Sequence, residues 1–245
     1  MTGTVGEFLR VIDLAGVFGN AVLGGIVARE LRMDPVGFVA LAILSGLGGG
    51  LIRDTLLQHG APIALTDYLY VVTAVAGAVV AFLAPVHDRV WRLTFPVVDA
   101  LALGCWAAAG AQKTLEVGLG WLAAVLLGTI TAVGGGALRD LTVRRIPQIF
   151  GGNTLYATCA VAASLVVVFF TYSGHAPAGT VVGTGIGAAL CLLARWRGWQ
   201  LWQGLDWEYA IQRSPGKRWP RIKVRANRRA APSAEPPADG RSERT

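Results

Sequence analysis

Long apolar runs separated by short charged or glycine- and proline-containing segments dominate this chain. Seven of these runs approach the length of about 20 mostly apolar residues that crosses the hydrocarbon layer of a bilayer. They cover residues 11–28, 36–57, 68–85, 95–111, 119–143, 155–172 and 178–194. Segments such as 70–85 and 157–171 are apolar on all sides of a helix, which argues against a soluble helical bundle. The pattern predicts an all-α membrane protein with seven transmembrane helices.

The composition supports a membrane location and gives no support to an enzymatic role. Apolar residues make up 53% of the 245 residues and charged residues only 15%, whereas about a quarter of the residues in soluble proteins are charged. Cys105, Cys159 and Cys191 lie singly in apolar runs, and the sequence contains no pattern typical of metal binding, phosphate binding or nucleophilic catalysis. We therefore expect no catalytic residues, no bound metal and no cofactor.

Basic residues are concentrated in every second connection between the runs. The arginine pairs after the first, third and fifth runs are Arg29 with Arg32, Arg89 with Arg92, and Arg144 with Arg145. Short cytoplasmic loops of membrane proteins carry an excess of Lys and Arg. The charge pattern therefore predicts an N-terminus outside the cell and a cytoplasmic C-terminus.

Residues 198–245 differ in composition from the rest of the chain. They contain ten Lys or Arg residues against five Asp or Glu, and so carry most of the net charge of +7. Trp196, Trp199, Trp202 and Trp207 are typical of an interfacial segment with aromatic anchors. The basic, Pro- and Ala-rich sequence beyond Arg213 predicts a disordered tail that lies near anionic lipid headgroups. A nucleic-acid partner is not expected.

An internal repeat divides the chain. The segment LGGGLIRD at 47–54 recurs as VGGGALRD at 133–140, an offset of 86 residues, and the same offset relates Asp13 to Asp99. Each repeat holds three of the predicted helices, so the second copy must enter the membrane from the opposite side. The sequence therefore predicts two inverted three-helix repeats, 1–90 and 91–176, followed by a seventh helix, 177–197, and the tail, 198–245.

Both copies carry a glycine triplet in the middle of an apolar run, formed by Gly48, Gly49, Gly50, Gly134, Gly135 and Gly136. Three adjacent glycines are expected to kink or unwind a helix, and the freed carbonyl groups would then face a cavity that suits a small cation. Ser45 and Thr131, which precede the triplets by three residues, could add hydroxyl groups. The alternative is that the glycines only allow two helices to pack closely.

Charged residues inside the apolar runs are the second group of candidate functional residues. Arg53, Asp54, Arg139 and Asp140 follow the triplets, and Asp13 and Asp99 lie on the first and fourth runs. Neighbouring residues point about 100° apart on a helix, so we expect each arginine to bind a carboxylate or carbonyl on another helix rather than the adjacent aspartate. Asp13 and Asp99 are the candidate partners. A purely structural clamp remains an alternative role.

The paired GGGxxRD motifs, the aspartate at the head of each unit and the Arg-Ile-Pro at 145–147 resemble one bacterial membrane family. It is known as a glycine transporter-like or uncharacterised group and is similar to the trimeric intracellular cation channels. The resemblance covers roughly residues 11–194. It implies a homotrimer in the bacterial inner membrane with one pore in each protomer, bordered by the glycine triplets. It also implies passage of monovalent cations, chiefly K⁺ or alternatively Na⁺.

Two other functions remain open from the sequence. Inverted repeats and interrupted helices also suit a secondary transporter of a small amino acid such as glycine. A structural membrane scaffold is the third possibility. The Lys-Glu-Val signature of animal channel members is not contiguous here, because Lys113 is separated from Glu116 and Val117.

Overall fold

The structure is a computed structural model that describes residues 4–83, 89–150 and 155–199, and all regular secondary structure in these ranges is helical. The helices are α1 (Thr4–Glu30), α2 (Pro35–Leu57), α3 (Ile63–Thr66), α4 (Tyr68–Leu83), α5 (Arg89–Glu116), α6 (Trp121–Thr142), a short 3-10 helix (Gln148–Phe150), α7 (Tyr156–Tyr172) and α8 (Ala176–Arg197). The prediction of an all-α protein is confirmed. Most of the predicted C-terminal segment, residues 200–245, lies outside the described residues.

Within the described residues, five helices are long and apolar enough to cross a membrane. They are the segments Arg10–Glu30, Pro35–Leu57, Phe95–Glu116, Trp121–Thr142 and Ala176–Arg197. Two further apolar helices, α4 and α7, are shorter and have 16 and 17 residues. At about 1.5 Å per residue, their length is less than the thickness of a hydrocarbon layer of roughly 30 Å. The prediction of a membrane protein is therefore confirmed.

Local sequence signals determine where several helices begin and end. Asp34 caps α2 by accepting a hydrogen bond from the backbone N–H of Gly37 at 2.8 Å, and Pro35 occupies the first turn, where its missing N–H costs nothing. Helix α8 ends at Gly198, whose φ of 63° glycine adopts without steric strain. Arg29, in the last turn of α1, donates hydrogen bonds to the carbonyl oxygens of Ala81 and Phe82 at the end of α4.

Small side chains dominate the interior. Helix α5 packs against α1, α6, α7 and α8, and α2 packs against α1, α4 and α6. At the crossing of α1 and α5, a Cβ added to Gly16 would collide with the Cβ of Ala102. Close approach of helix backbones at small residues is the usual way for helices to pack in a membrane, where apolar side chains gain little by leaving lipid. Large apolar residues such as Leu122 and Phe169 are exposed on the outer surface.

Candidate functional site: two cavities on either side of a glycine crossing

Helices α2 and α6 cross at the two glycine triplets. Both helices stay α-helical through their triplets, so the prediction that the glycines unwind them is wrong. A Cβ added to Gly49 would collide with the carbonyl oxygen of Thr131, and one added to Gly135 would collide with the carbonyl oxygen of Ser45. The triplets are continuous because the close approach of the two backbones outweighs the cost of about 1 kcal/mol for each helical glycine.

The members of the triplets have different neighbours. A Cβ on Gly134 would lie 3.0 Å from the Cα of Gly49, and one on Gly48 would lie 3.3 Å from the Cα of Gly135, so these four glycines form the crossing itself. The last glycine of each triplet is less confined. A Cβ on Gly50 or Gly136 would meet no atom closer than the guanidinium of the arginine three residues later, at 3.9 and 3.8 Å.

The first cavity lies beside Asp13 and has a volume of about 50 Å³. Its polar lining comes from α1, α2, α4, α5 and α6, and includes Asp13, Ser45, Arg53, Tyr70, Trp106 and Thr131. The Asp13 carboxylate accepts a hydrogen bond from the Tyr70 hydroxyl and another, at 2.6 Å, from the indole N–H of Trp106. Both donors are uncharged, so they orient the carboxylate without neutralising it.

The second cavity lies beside Asp99 and has a volume of about 80 Å³. Its polar lining includes Asn20, Asp99, Arg139, Asp140, Tyr156 and Arg195. The Tyr156 hydroxyl donates to Asp99 Oδ1 at 2.9 Å, and the Arg195 guanidinium donates to Asp99 Oδ2 at 3.3 Å. This carboxylate therefore has a cationic partner, which comes from α8.

A single stretch of α6 separates the two cavities. Thr131 and Gly135 line the first cavity, and the residues immediately after them, Ala132 and Gly136, line the second. On α2, Ser45 also lines the first cavity; its side chain is fully buried, and within the described part of the chain its hydroxyl has no hydrogen-bond partner. The Thr131 hydroxyl instead donates to the carbonyl of Leu127 at 2.6 Å.

Each buried arginine binds the aspartate next to it, contrary to the prediction. Arg53 Nε donates to Asp54 at 2.7 Å and Arg139 Nε donates to Asp140 at 2.9 Å, and all four residues are buried. The angular offset between neighbours does not prevent this contact, because the long arginine side chain folds back until Nε reaches the carboxylate. Asp54 also receives hydrogen bonds from Lys113 Nζ at 2.7 Å and from the backbone N–H of Ile63 at 3.0 Å.

The expectation that Asp13 and Asp99 bind these two arginines is also wrong. Among the described residues, neither aspartate forms an ion pair with Arg53 or Arg139. Their partners are aromatic residues and Arg195, which the sequence analysis missed. A usable signal was present for the tyrosines, because Tyr70 and Tyr156 are separated by the same 86 residues as Asp13 and Asp99.

The fold and these two cavities define a polytopic α-helical membrane protein that holds paired carboxylates in its interior. The chain belongs to the family described as glycine transporter, whose model matches it at residues 10–85 and again at 96–172. It is 34% identical to a UPF0126 membrane protein of Deinococcus radiodurans over 82% of this chain and 92% of that one. It is 32% identical to the UPF0126 inner membrane protein YadS of Escherichia coli K12, over 76% and 91% of the two chains.

Solved structures show the same fold. A structure of a TRIC cation channel, described in a study of conductance, superposes with a TM-score of 0.74 at 30% identity, covering 80% of this chain and 96% of that one. The orthologue of the TRIC trimeric intracellular cation channel from Rhodobacter sphaeroides gives a TM-score of 0.67 at 30% identity, covering 78% and 96%. The resemblance to this channel family, inferred from the paired motifs, is confirmed.

Proposed function

We propose that this protein is a channel for passive conduction of monovalent cations, chiefly K⁺. The path runs within one protomer from the Asp13 cavity, past the crossing of α2 and α6, to the Asp99 cavity. The observation that carries this proposal is the placement of two carboxylate-lined cavities on adjacent faces of one turn of α6. Buried carboxylates attract cations, and the hydroxyl groups of Ser45 and Thr131 lie beside the crossing, where a partly dehydrated ion would pass.

We propose further that residues 1–90 and 91–176 are inverted repeats related by a two-fold axis in the membrane plane. Contacts between the halves support this, because they are exchanged under the offset of 86 residues. Trp106 of the second half contacts Asp13 of the first, and Asn20 of the first half faces Asp99 of the second. Likewise Gly49 abuts Thr131 and Gly135 abuts Ser45. A two-fold axis produces this kind of exchange, whereas a translation does not.

The repeat proposal requires seven membrane spans, including the shorter helices α4 and α7. Both are apolar and occupy equivalent positions after the two charged motifs. Helix α8, residues 177–197 of the predicted division, is then the seventh span, and 198–245 is the basic segment at the lipid surface. An odd number of spans puts the two termini on opposite sides of the membrane, and the arginine pairs favour an N-terminus outside and a C-terminus in the cytoplasm.

A homotrimer in the inner membrane of a bacterium completes the proposal. The names of the relatives support both parts, since one is called an inner membrane protein and another structure is called a trimeric channel. Each protomer would hold its own path, because both cavities lie within one chain. The outward-facing apolar side chains would contact lipid or the neighbouring protomers.

A second candidate is a secondary transporter of a small amino acid such as glycine. The specific observation in its favour is that the Asp99 cavity presents both a carboxylate and the guanidinium of Arg195, which together suit a zwitterion. The name of the family model points the same way. The channel is preferred because Arg195 already binds Asp99 and because no described Lys or Arg forms an ion pair with Asp13.

Reconstitution in planar bilayers with asymmetric KCl separates these functions. A cation channel gives discrete current steps and a reversal potential shifted towards the equilibrium potential of K⁺. A transporter gives no current steps but takes up glycine into vesicles with saturable kinetics. The Asp13→Asn variant, which keeps the shape but removes the charge, should move the reversal potential towards zero. Glu116→Gln, at an exposed position, is the matched control. Absence of current together with glycine uptake would contradict the channel.

The topology is tested with a reporter that fluoresces only in the cytoplasm. Fusions after Arg32, Arg145 or Arg213 should be bright, and fusions after Gly60 or His175 should be dark. Bright fusions at the second set would contradict the seven-span arrangement and with it the inverted repeat.

A further inference from the structure

Arg195 introduces a difference between the two cavities. It lies near the end of α8, outside both three-helix units, and reaches Asp99 with its guanidinium at 3.3 Å. Its side chain is 37% exposed, whereas that of Asp99 is 7% exposed. The arginine therefore reaches the buried carboxylate from a partly exposed position at the end of α8.

The other charges around the two carboxylates do not remove this difference. Arg139 and Asp140, in the same cavity as Asp99, bind each other, and Arg53 in the first cavity binds Asp54. Lys113, the additional cation near the first cavity, binds Asp54 instead of Asp13. Within the described part of the chain, the hydrogen bonds to Asp13 therefore come from the uncharged side chains of Tyr70 and Trp106, while Asp99 also binds a guanidinium.

We propose that Arg195 is a tethered competitor of permeating cations at Asp99. A cation that reaches Asp99 must displace the guanidinium or share the carboxylate with it, whereas no described Lys or Arg forms an ion pair with Asp13. Displacement is feasible because the arginine side chain is partly exposed and lies in the last turn of α8. The two halves of the path then hold cations with different strengths, and current in the two directions is unequal. This inference rests on the proposed channel function.

The test compares Arg195→Gln with Arg197→Gln in planar bilayers with symmetric KCl. Both changes remove one arginine charge near the end of α8, but Arg197 stacks over Trp196 and does not line the cavity. Arg195→Gln should raise the unitary current by about two-fold or more in at least one direction, since a nearby charge changes the local cation concentration. It should also change the ratio of inward to outward current. Arg197→Gln should match the wild type.

A second measurement, of thermal stability, tests K⁺ binding at Asp99 without requiring that the protein conduct ions. Melting temperatures are compared in KCl and in N-methylglucamine chloride at equal ionic strength. If K⁺ replaces the missing guanidinium at Asp99, it should raise the melting temperature of Arg195→Gln by about 2 °C or more beyond its effect on the wild type. Arg195→Lys, which keeps the charge on a different head group, should show a smaller K⁺ effect and serves as the test variant if Arg195→Gln does not fold.

The outcomes separate the inference from the function on which it rests. Unchanged current and unchanged current ratio in a conducting Arg195→Gln protein would overturn the inference and leave the channel intact. No current in any variant would contradict the channel, and the competition at Asp99 would then be supported by the K⁺-dependent melting temperature or overturned by its absence.

Discussion

The Asp13 and Asp99 cavities are built from equivalent residues but stabilise their carboxylates differently. Each aspartate accepts a hydrogen bond from a tyrosine 57 positions further along the chain. The other donors differ, because Asp13 has the indole of Trp106, whereas Asp99 has the side chain of Asn20 and the guanidinium of Arg195. Sequence positions related by the offset of 86 can therefore carry the same acid while the surrounding helices supply different partners for it.

The largest expected effect on stability tests whether the two buried Arg–Asp ion pairs stabilise the fold around both cavities. Arg139→Ala removes the guanidinium from buried Asp140 and should destabilise the protein by about 3–5 kcal/mol, and Arg53→Ala should cost less because Lys113 still binds Asp54. Thermal melting in detergent, with recovery of the oligomer by size-exclusion chromatography, measures the loss. Arg10→Ala is the control, because the Arg10–Asp67 pair is exposed and should contribute at most about 1 kcal/mol. Wild-type melting of both buried variants would contradict this role.

The next effect tests the crossing that both cavities share. Gly49→Ala and Gly135→Ala place a Cβ against a backbone carbonyl oxygen, so α2 and α6 must move apart at a cost of about 1–3 kcal/mol. If the proposed path is correct, the displacement also changes the unitary conductance. Gly50→Ala and Gly136→Ala are matched controls with open space, and they should be neutral or stabilising by up to about 1 kcal/mol. Equal melting of the two groups would contradict the close crossing.

The smallest expected effect on stability compares the hydrogen bonds to the two carboxylates, Asp13 and Asp99. Among the described residues, Tyr70→Phe leaves Asp13 with the hydrogen bond from Trp106, whereas Tyr156→Phe leaves Asp99 with Asn20 and the guanidinium of Arg195. We expect Tyr70→Phe to cost about 1–3 kcal/mol and Tyr156→Phe about 1 kcal/mol, since loss of a neutral hydrogen bond costs more where no charge remains to satisfy the carboxylate. Melting temperatures of the two variants, compared with Tyr172→Phe at an exposed position, check the order. The reverse order would remove the distinction between the cavities.

The fold was more predictable than the chemistry of the site. Apolar runs located the long helices because burial in lipid depends on the local composition of a segment. The repeated GGGxxRD motif located Gly49, Gly135, Arg53 and Arg139. The conformation of the triplets was not predictable in this way, since the cost of helical glycine is small compared with the gain from a close helix crossing.

The sequence by itself determined that the chain is an all-helical membrane protein with two related charged motifs, because hydrophobicity and repetition are properties of the chain alone. Tertiary structure decided that the glycines pack two continuous helices and that each arginine folds back onto its neighbouring aspartate. It also decided that Trp106 and Arg195, 93 and 96 positions from their acids, complete the two cavities. Such partners depend on which helices meet in space, and no local pattern along the chain specifies that.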